Sequence, residues 1–282
     1  MGSGAGGATA GTGLSWVPVA DPVQQPWLTD VEVVLGTDAR PELVRWSSLY
    51  PRTNGTADGY ALRTADGLVL VDPVDVAPRD APRLGALLSR MAGGAPPAAS
   101  VLTYTLHERA AGRIRRGHGT PVWAPHGRQE ELDEAPDATY GDGAALPGGL
   151  RAVTVTDHHA PAGPAGESFL LWAAAGRPRV LFAYDRIIGR VLSSEDDYAP
   201  ALGVPGPLLW LRRAWLGTTE DEAAAARAVF CRGMRRLLDE DFDLVCPGHG
   251  ALVLRNDPKG AIGRVLARGR PVDPSFIAPP SA

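Results

Sequence analysis

The stretch VLTYTLHERAAG, residues 101–112, has the form of a metal-binding loop: an apolar strand, a threonine, then His107 and Glu108 just ahead of a helix-like run. Such a loop holds several ligands at fixed spacing, because alternation at a strand end points every second side chain the same way. Here the alternate positions carry Tyr104 and Leu106, with Arg109 close behind. The residue types therefore leave two chemistries open, a reduced metal site or an acid–base site that works without one.

Other reactive side chains lack the context that activates them. His118 and His126 sit in Gly117-His118-Gly119 and Pro125-His126-Gly127, which read as solvent-exposed turns. Cys246 follows the apolar pair Leu244-Val245, and a thiol at a buried strand end is inert. Ser168 and Ser193 stand outside any Gly-x-Ser-x-Gly turn, and no glycine-rich phosphate loop is present. A net charge of -4, with arginines scattered among acids, speaks against nucleic acid and leaves a small molecule as the expected partner. Two cysteines form no disulfide framework or zinc ribbon, which suits a reducing cytoplasm. The N-terminal MGSGAGGATAGTG has neither a basic start nor an apolar run, so neither a signal peptide nor a membrane anchor is expected. Residues 1–25 read as a flexible Gly/Ala-rich tail, because small residues bury too little surface to offset their ordering entropy.

The elements that must position these groups follow from periodicity. VEVVLG and YALRTADGLVLVDP read as strands, the second holding a hairpin at Ala65-Asp66-Gly67 and ending on Asp72. Leu84, Leu87 and Leu88 mark a helix over 79–93 stopped by Gly93-Gly94. Next come a strand at ASVLTYT, a short helix in ERAAGRIRRGHG stopped at Gly117 or Gly119, and a strand at PVWAP, the strand–helix–strand unit of a layered α/β protein. LRAVTVT and SFLLWAAAGRPRVLFAY supply three more strands. The segment GVPGPLLWLRRAWLG crowds Leu208, Leu209, Trp210, Leu211, Trp215 and Leu216, and reads as a buried docking element, or as a lid or homodimer contact. Thr219 and Glu222 form a capping box for a helix whose buried face holds Val229, Phe230, Met234, Leu237 and Leu238. DFDLVCPGHG is a strand running into a glycine-flanked histidine, and Asp257-Pro258 opens a last helix that ends near Gly269.

Taken in order, these blocks resemble the metallo-β-lactamase fold superfamily. GYALRTADGLVLVDP resembles its early strand pair, VLTYTLHERAAG through PVWAPHG its metal loop, helix and strand, TDHHAPAGPAGESFLLW its third-histidine region, VLFAYD its bridging aspartate, and FDLVCPGHG its closing turn. The resemblance spans roughly residues 30–265. It implies an α/β (α+β) four-layer αββα sandwich over residues 26–282 and hydrolysis of a small ester, thioester or lactone by metal-bound hydroxide.

Set on the family's His-x-His-x-Asp-His loop, Tyr104 and Leu106 stand for the first two histidines, Glu108 for the aspartate and Arg109 for the last histidine. The resemblance carries His159, or its neighbour His158, to the third histidine, Asp185 to the bridging carboxylate and His249 to the last ligand. It thus implies Asp185, His249 and His159 as catalytic groups, with Glu108 joining them if a metal binds. The cofactor expectation is none, or one divalent zinc, iron or manganese ion; a dinuclear site is not expected. His107 falls where its side chain points away from a metal, to the surface or behind the ligands, unless the loop slips in register. Tyr184 stands where the family has a glycine. With Tyr104, Arg109 and Trp210 it is expected to bind substrate, and Arg109 to neutralise Asp185 or Glu108 in place of a cation. The alternative is a metal-free pseudoenzyme that binds a small molecule without turnover.

Overall fold

A computed structural model describes residues 26–50, 55–155, 166–183, 185–188, 208–209, 219–250 and 253–267. The expected tail (1–25), His158, His159, Tyr184, Ser193, Trp210, Trp215 and Gly269 lie outside the described residues.

Seven strands pair in chain order: β1 (Trp27–Thr37), β2 (Arg40–Tyr50), β3 (Gly55–Thr64), β4 (Gly67–Val71), β5 (Ala99–Val101), β6 (Val122–Pro125) and β7 (Ala138–Tyr140). The first four are antiparallel, with the predicted hairpin closing at Thr64–Gly67, and β4 to β7 are parallel. A second sheet is built from β8 (Ala145–Leu146), β9 (Leu150–Val153), β10 (Phe169–Trp172), β11 (Val180–Ala183) and a later strand, β14 (Leu244–Pro247), which pairs parallel with β11. Between them in the chain, β12 (Ile187–Ile188) and β13 (Leu208–Leu209) form a two-stranded ribbon. β13 is the only described part of the Leu/Trp-rich segment.

Strand alternation sorts the apolar side chains into layers. Val69, Val71, Leu62 and Tyr60 of the first sheet meet Leu170, Trp172, Val180 and Phe182 of the second in one inner core. Leu68 and Leu70 turn the other way, onto Leu84, Leu88 and Met91 of α1 (Ala81–Ala92) and Ile114 of α2 (Ala111–His118). Leu171, Leu181 and Ala183 likewise face Phe230, Met234 and Leu237 of α3 (Glu220–Leu237) and Ile262 and Leu266 of α4 (Pro258–Ala267). The result is the four-layer αββα sandwich. Gly93 and Gly119, both with left-handed backbone, end α1 and α2, and the Thr219–Glu222 capping box opens α3.

β2, which no periodicity marked, brings Trp46 under the early loops, where its Nε1 donates to the Val74 carbonyl at 3.1 Å. The indole leaves no room opposite: a Cβ on Gly59 would stand 2.8 Å from the ring and 2.9 Å from the Val74 nitrogen. Gly59→Ala is therefore expected to cost about 1–3 kcal/mol through overpacking. The check is a downward shift of the urea midpoint at unchanged m-value.

Among the described residues no helix is long and apolar enough to cross a membrane.

Candidate functional site

The chemistry-bearing groups gather at the carboxyl ends of parallel-paired strands: Asp72 after β4, Thr103 and His107 after β5, Asp185 after β11 and His249 after β14. Within the 101–112 loop the chain does not stay extended. Thr105–His107 make a single turn of 3-10 helix, whose roughly 120° rotation per residue replaces strand alternation. That turn swings His107 inward, to 2% exposure, and leaves Leu106 at 44%. The sequence expectation for this pair is thus overturned: His107 is a central residue, and Leu106 faces solvent.

Asp72 and Asp185 hold His107 between them. Its Nδ1 lies 2.9 Å from Asp72 Oδ2 and its Nε2 3.0 Å from Asp185 Oδ1, bonds that join residues 35 and 78 apart in sequence. Asp72 is fixed in turn by the Thr103 backbone N–H at 2.7 Å and by the Thr103 hydroxyl. Burial disfavours the imidazolium, as does the Arg109 charge, yet the two carboxylates outweigh both and hold the His107 pKa above its usual value. For Asp185, burial pushes upward, but the charges and hydrogen bonds of His107 and His249 bring its pKa well below the usual carboxylate range. Tyr104 is fully buried with its ring edge-on to His107, the centroids 5.4 Å apart.

His249 is gripped from the opposite sheet by alternate residues of β3. Its Nδ1 donates to the Thr56 carbonyl at 2.5 Å, the Asp58 N–H donates to the Gly248 carbonyl at 2.9 Å, and the Tyr60 hydroxyl donates to the Pro247 carbonyl at 2.6 Å. Asp58 is itself paired with buried Arg45, which also binds Asp30 and Glu32. Gly248 permits this approach, since a Cβ there would stand 3.2 Å from the His107 ring and 3.3 Å from the Ala183 carbonyl.

With Nδ1 of His249 committed to Thr56, its Nε2 faces Asp185 Oδ1 at 3.1 Å and Arg109 Nη2 at 3.3 Å. An ionised carboxylate only accepts and a guanidinium only donates, so one ring nitrogen serves one of them at a time. Arg109 makes no ion pair with Asp185 or Glu108 among the described residues, which corrects the neutralising role expected for it. Glu108 also leaves the predicted ligand set, because its carboxylate accepts from the Asp133 N–H at 2.7 Å.

Among the described residues, the donors that converge are His107, Asp185 and His249, with ligand atoms within 4.8 Å of one another. A tetrahedral ion with bonds of about 2.1 Å sets its ligands about 3.4 Å apart, close to the 3.0 and 3.1 Å separating Asp185 Oδ1 from the two imidazole nitrogens. Both histidines present Nε2 inward, with Nδ1–H held by Asp72 and by the Thr56 carbonyl, the outer-shell arrangement that orients metal-binding imidazoles. The residues thus fit one ion. Arg109, where a second histidine would complete a pair of ions, brings a fixed positive charge instead.

The remaining candidates lie apart. His126 is exposed, whereas His118 closes α2 half-buried rather than in an exposed turn. Cys246 is buried, and burial pushes its thiol pKa up, as an inert thiol requires. The Ser168 hydroxyl donates to the adjacent Phe169 carbonyl. Asp72 and Thr56 are the partners that sequence reasoning missed. Asp72 did leave a signal, a carboxylate closing an apolar strand, whereas a backbone carbonyl leaves none.

Residues 36–171 match the family model described as the metallo-beta-lactamase superfamily. Among solved structures, the chain resembles DIM-1 metallo-β-lactamase, with 17% identity, a TM-score of 0.55, and 89% of this chain and 100% of that one covered. A metallo-β-lactamase from Pontibacter korlensis aligns at 16% identity and a TM-score of 0.53, covering 85% and 99% of the two chains. A flavo di-iron protein variant from Thermotoga maritima aligns at 15% identity and 0.52, covering 87% of this chain and 63% of that one. At these identities the likeness is one of fold. No curated protein matches the chain by sequence.

Proposed function

The chain is a metallo-β-lactamase-fold protein, and from that premise we propose that it is a divergent hydrolase of small ester, thioester or lactone compounds, using at most one divalent ion. The observation that supports this is the convergence of His107 Nε2, Asp185 Oδ1 and His249 Nε2 on one point. A zinc, iron or manganese ion there would supply a hydroxide nucleophile at neutral pH and polarise the substrate carbonyl. The chain's own part is to orient the ligands: Asp72 fixes the His107 ring, the Thr56 carbonyl fixes the His249 ring, and Asp185 faces both. In the absence of an ion, His249 and Asp185 remain within reach of a water as an acid–base pair. That pair contributes only about 10²–10⁴ in rate, enough for an already reactive substrate.

A second reading, a metal-free protein that binds a small molecule without turnover, draws on Arg109, whose guanidinium lies on His249 and opposes a cation. The expected substrate contact of Arg109 serves either reading, as would those of Tyr184, Trp210 and His159, whereas Tyr104, fully buried against His107, is corrected to a packing residue. We place the protein in the cytoplasm, on the two unbridged cysteines Cys231 and Cys246.

Elemental analysis of protein purified without chelators decides between the readings, alongside hydrolysis of an aryl ester, an acyl thioester and a lactone. The expected result is about one ion per chain, lost together with turnover in His249→Ala. Neither metal nor turnover in the wild-type protein would overturn the hydrolase reading and leave the binding protein.

A further inference from the structure

Among the described residues, Arg109 is a partly buried cation that touches the site, and its guanidinium is poorly satisfied. Of its five donors, one reaches His249 Nε2, and Nη1 is buried without a hydrogen-bond partner among the described residues. Arg113 and Arg186 also leave a guanidinium nitrogen without a hydrogen bond, but each faces a carboxylate, Asp75 and Glu167 respectively, as Arg45 faces Asp30, Glu32 and Asp58; Arg109 faces none among the described residues.

The backbone at Arg109 is equally unusual. Its φ of 38° is in the left-handed region that disfavours residues with a Cβ, and strain of this kind persists where surrounding structure holds a ligand clamp. The strained residue stands between the His107 turn and α2, and so aims a long cation back at the site. The phenol of Tyr50, whose pKa is raised by burial, is pulled back by the nearby charges of Arg109 and Arg113.

We propose that Arg109 is the receptor for an anionic group on the substrate, a carboxylate or phosphate carried by the acyl compound the site hydrolyses. The proposal rests on the hydrolase reading for turnover, while the anion contact stands on geometry alone. A planar guanidinium that keeps a nitrogen unpartnered can turn toward an oxyanion, which it is shaped to meet in two-point contact. The Arg113 charge is matched by Asp75, so the positive charge left to offer is that of Arg109.

The test uses the full chain stripped of metal by chelator, with inorganic phosphate as the calorimetric probe. Wild-type protein should bind phosphate in a salt-dependent manner, Arg109→Gln at least tenfold more weakly, and the exposed-arginine control Arg90→Gln with wild-type affinity. Circular dichroism checks that Arg109→Gln is folded, and Arg109→Lys, which keeps the charge, should recover part of the affinity. No phosphate binding by the wild type, or equal binding by wild type and Arg109→Gln, would overturn the proposal. A second arm compares kcat/KM for a carboxylate-bearing ester and its neutral methyl-ester analogue, with a preference of at least tenfold for the anion expected in wild type and lost in Arg109→Gln. Hydrolysis without that preference would overturn the anion receptor and keep the hydrolase. Arg109-dependent phosphate binding without any hydrolysis would do the reverse.

Discussion

Asp185→Asn is expected to lower kcat/KM by about 10²–10⁴-fold on any ester, thioester or lactone that the protein turns over, and to abolish metal retention. The effect is large because one oxygen of this buried carboxylate faces both imidazoles, at 3.0 Å from His107 and 3.1 Å from His249. Asparagine keeps the shape but loses the charge, and it exchanges one acceptor for an amide donor. Whichever way the amide turns, both histidines meet the same atom, either a donor or a weaker acceptor. Steady-state kinetics and elemental analysis of the purified variant check this, with far-UV circular dichroism to confirm the fold. Turnover within tenfold of wild type would move the reaction away from Asp185.

The largest effect on stability is expected at His107. Removing it in His107→Ala strands Asp72 and Asp185 as two buried carboxylates with no cation between them, and breaking a buried pair in this way costs about 3–5 kcal/mol. The loss depends on pH. The raised His107 pKa adds stability that is fully present below the unfolded value of about 6.5 and fades as pH rises through the folded value. The depressed Asp185 pKa adds stability that is present above the unfolded value of about 3.9 and fades as pH falls through the folded value. Wild type and variant should therefore differ most between about pH 4 and 6.5. The gap should shrink in stronger acid, as Asp185 loses its charge. Urea unfolding of the metal-free proteins at pH 3, 5.5 and 8 measures it, and a gap independent of pH would mean that His107 acts through packing alone.

Much of the fold was legible because its local signals agree with its tertiary structure. The hairpin at Ala65–Asp66, the glycine stops of α1 and α2 and the capping box of α3 are decided within a few residues, and packing does not overrule them. β2 was not legible. Its RPELVRWSSLY is buried on both faces, with Arg45, Ser47 and Ser48 inside, so the alternation that marks a half-exposed strand is absent.

The site divides along the same line. Asp185 and His249 end strands and lie together as expected. His107 and Glu108 exchanged roles, because alternation applies only while the chain stays extended, and here it coils for one turn after Tyr104. That turn rests on contacts made by distant residues, Gly166 to Thr105 and Asp72 to His107, which a local pattern cannot carry.

The β3 grip on the loop of His249 bears on how the protein folds. The bonds from His249 to Thr56 and from Tyr60 to Pro247 close chain separations of 193 and 187 residues. Loops of that length are entropically slow to close, so they form late, after each sheet has its own hairpins. A partly folded chain then offers no complete site. An ion or substrate that needs all three ligand groups selects the finished molecule over its intermediates and adds its binding free energy to that state alone. Recovery of binding during refolding should accordingly lag behind recovery of secondary structure.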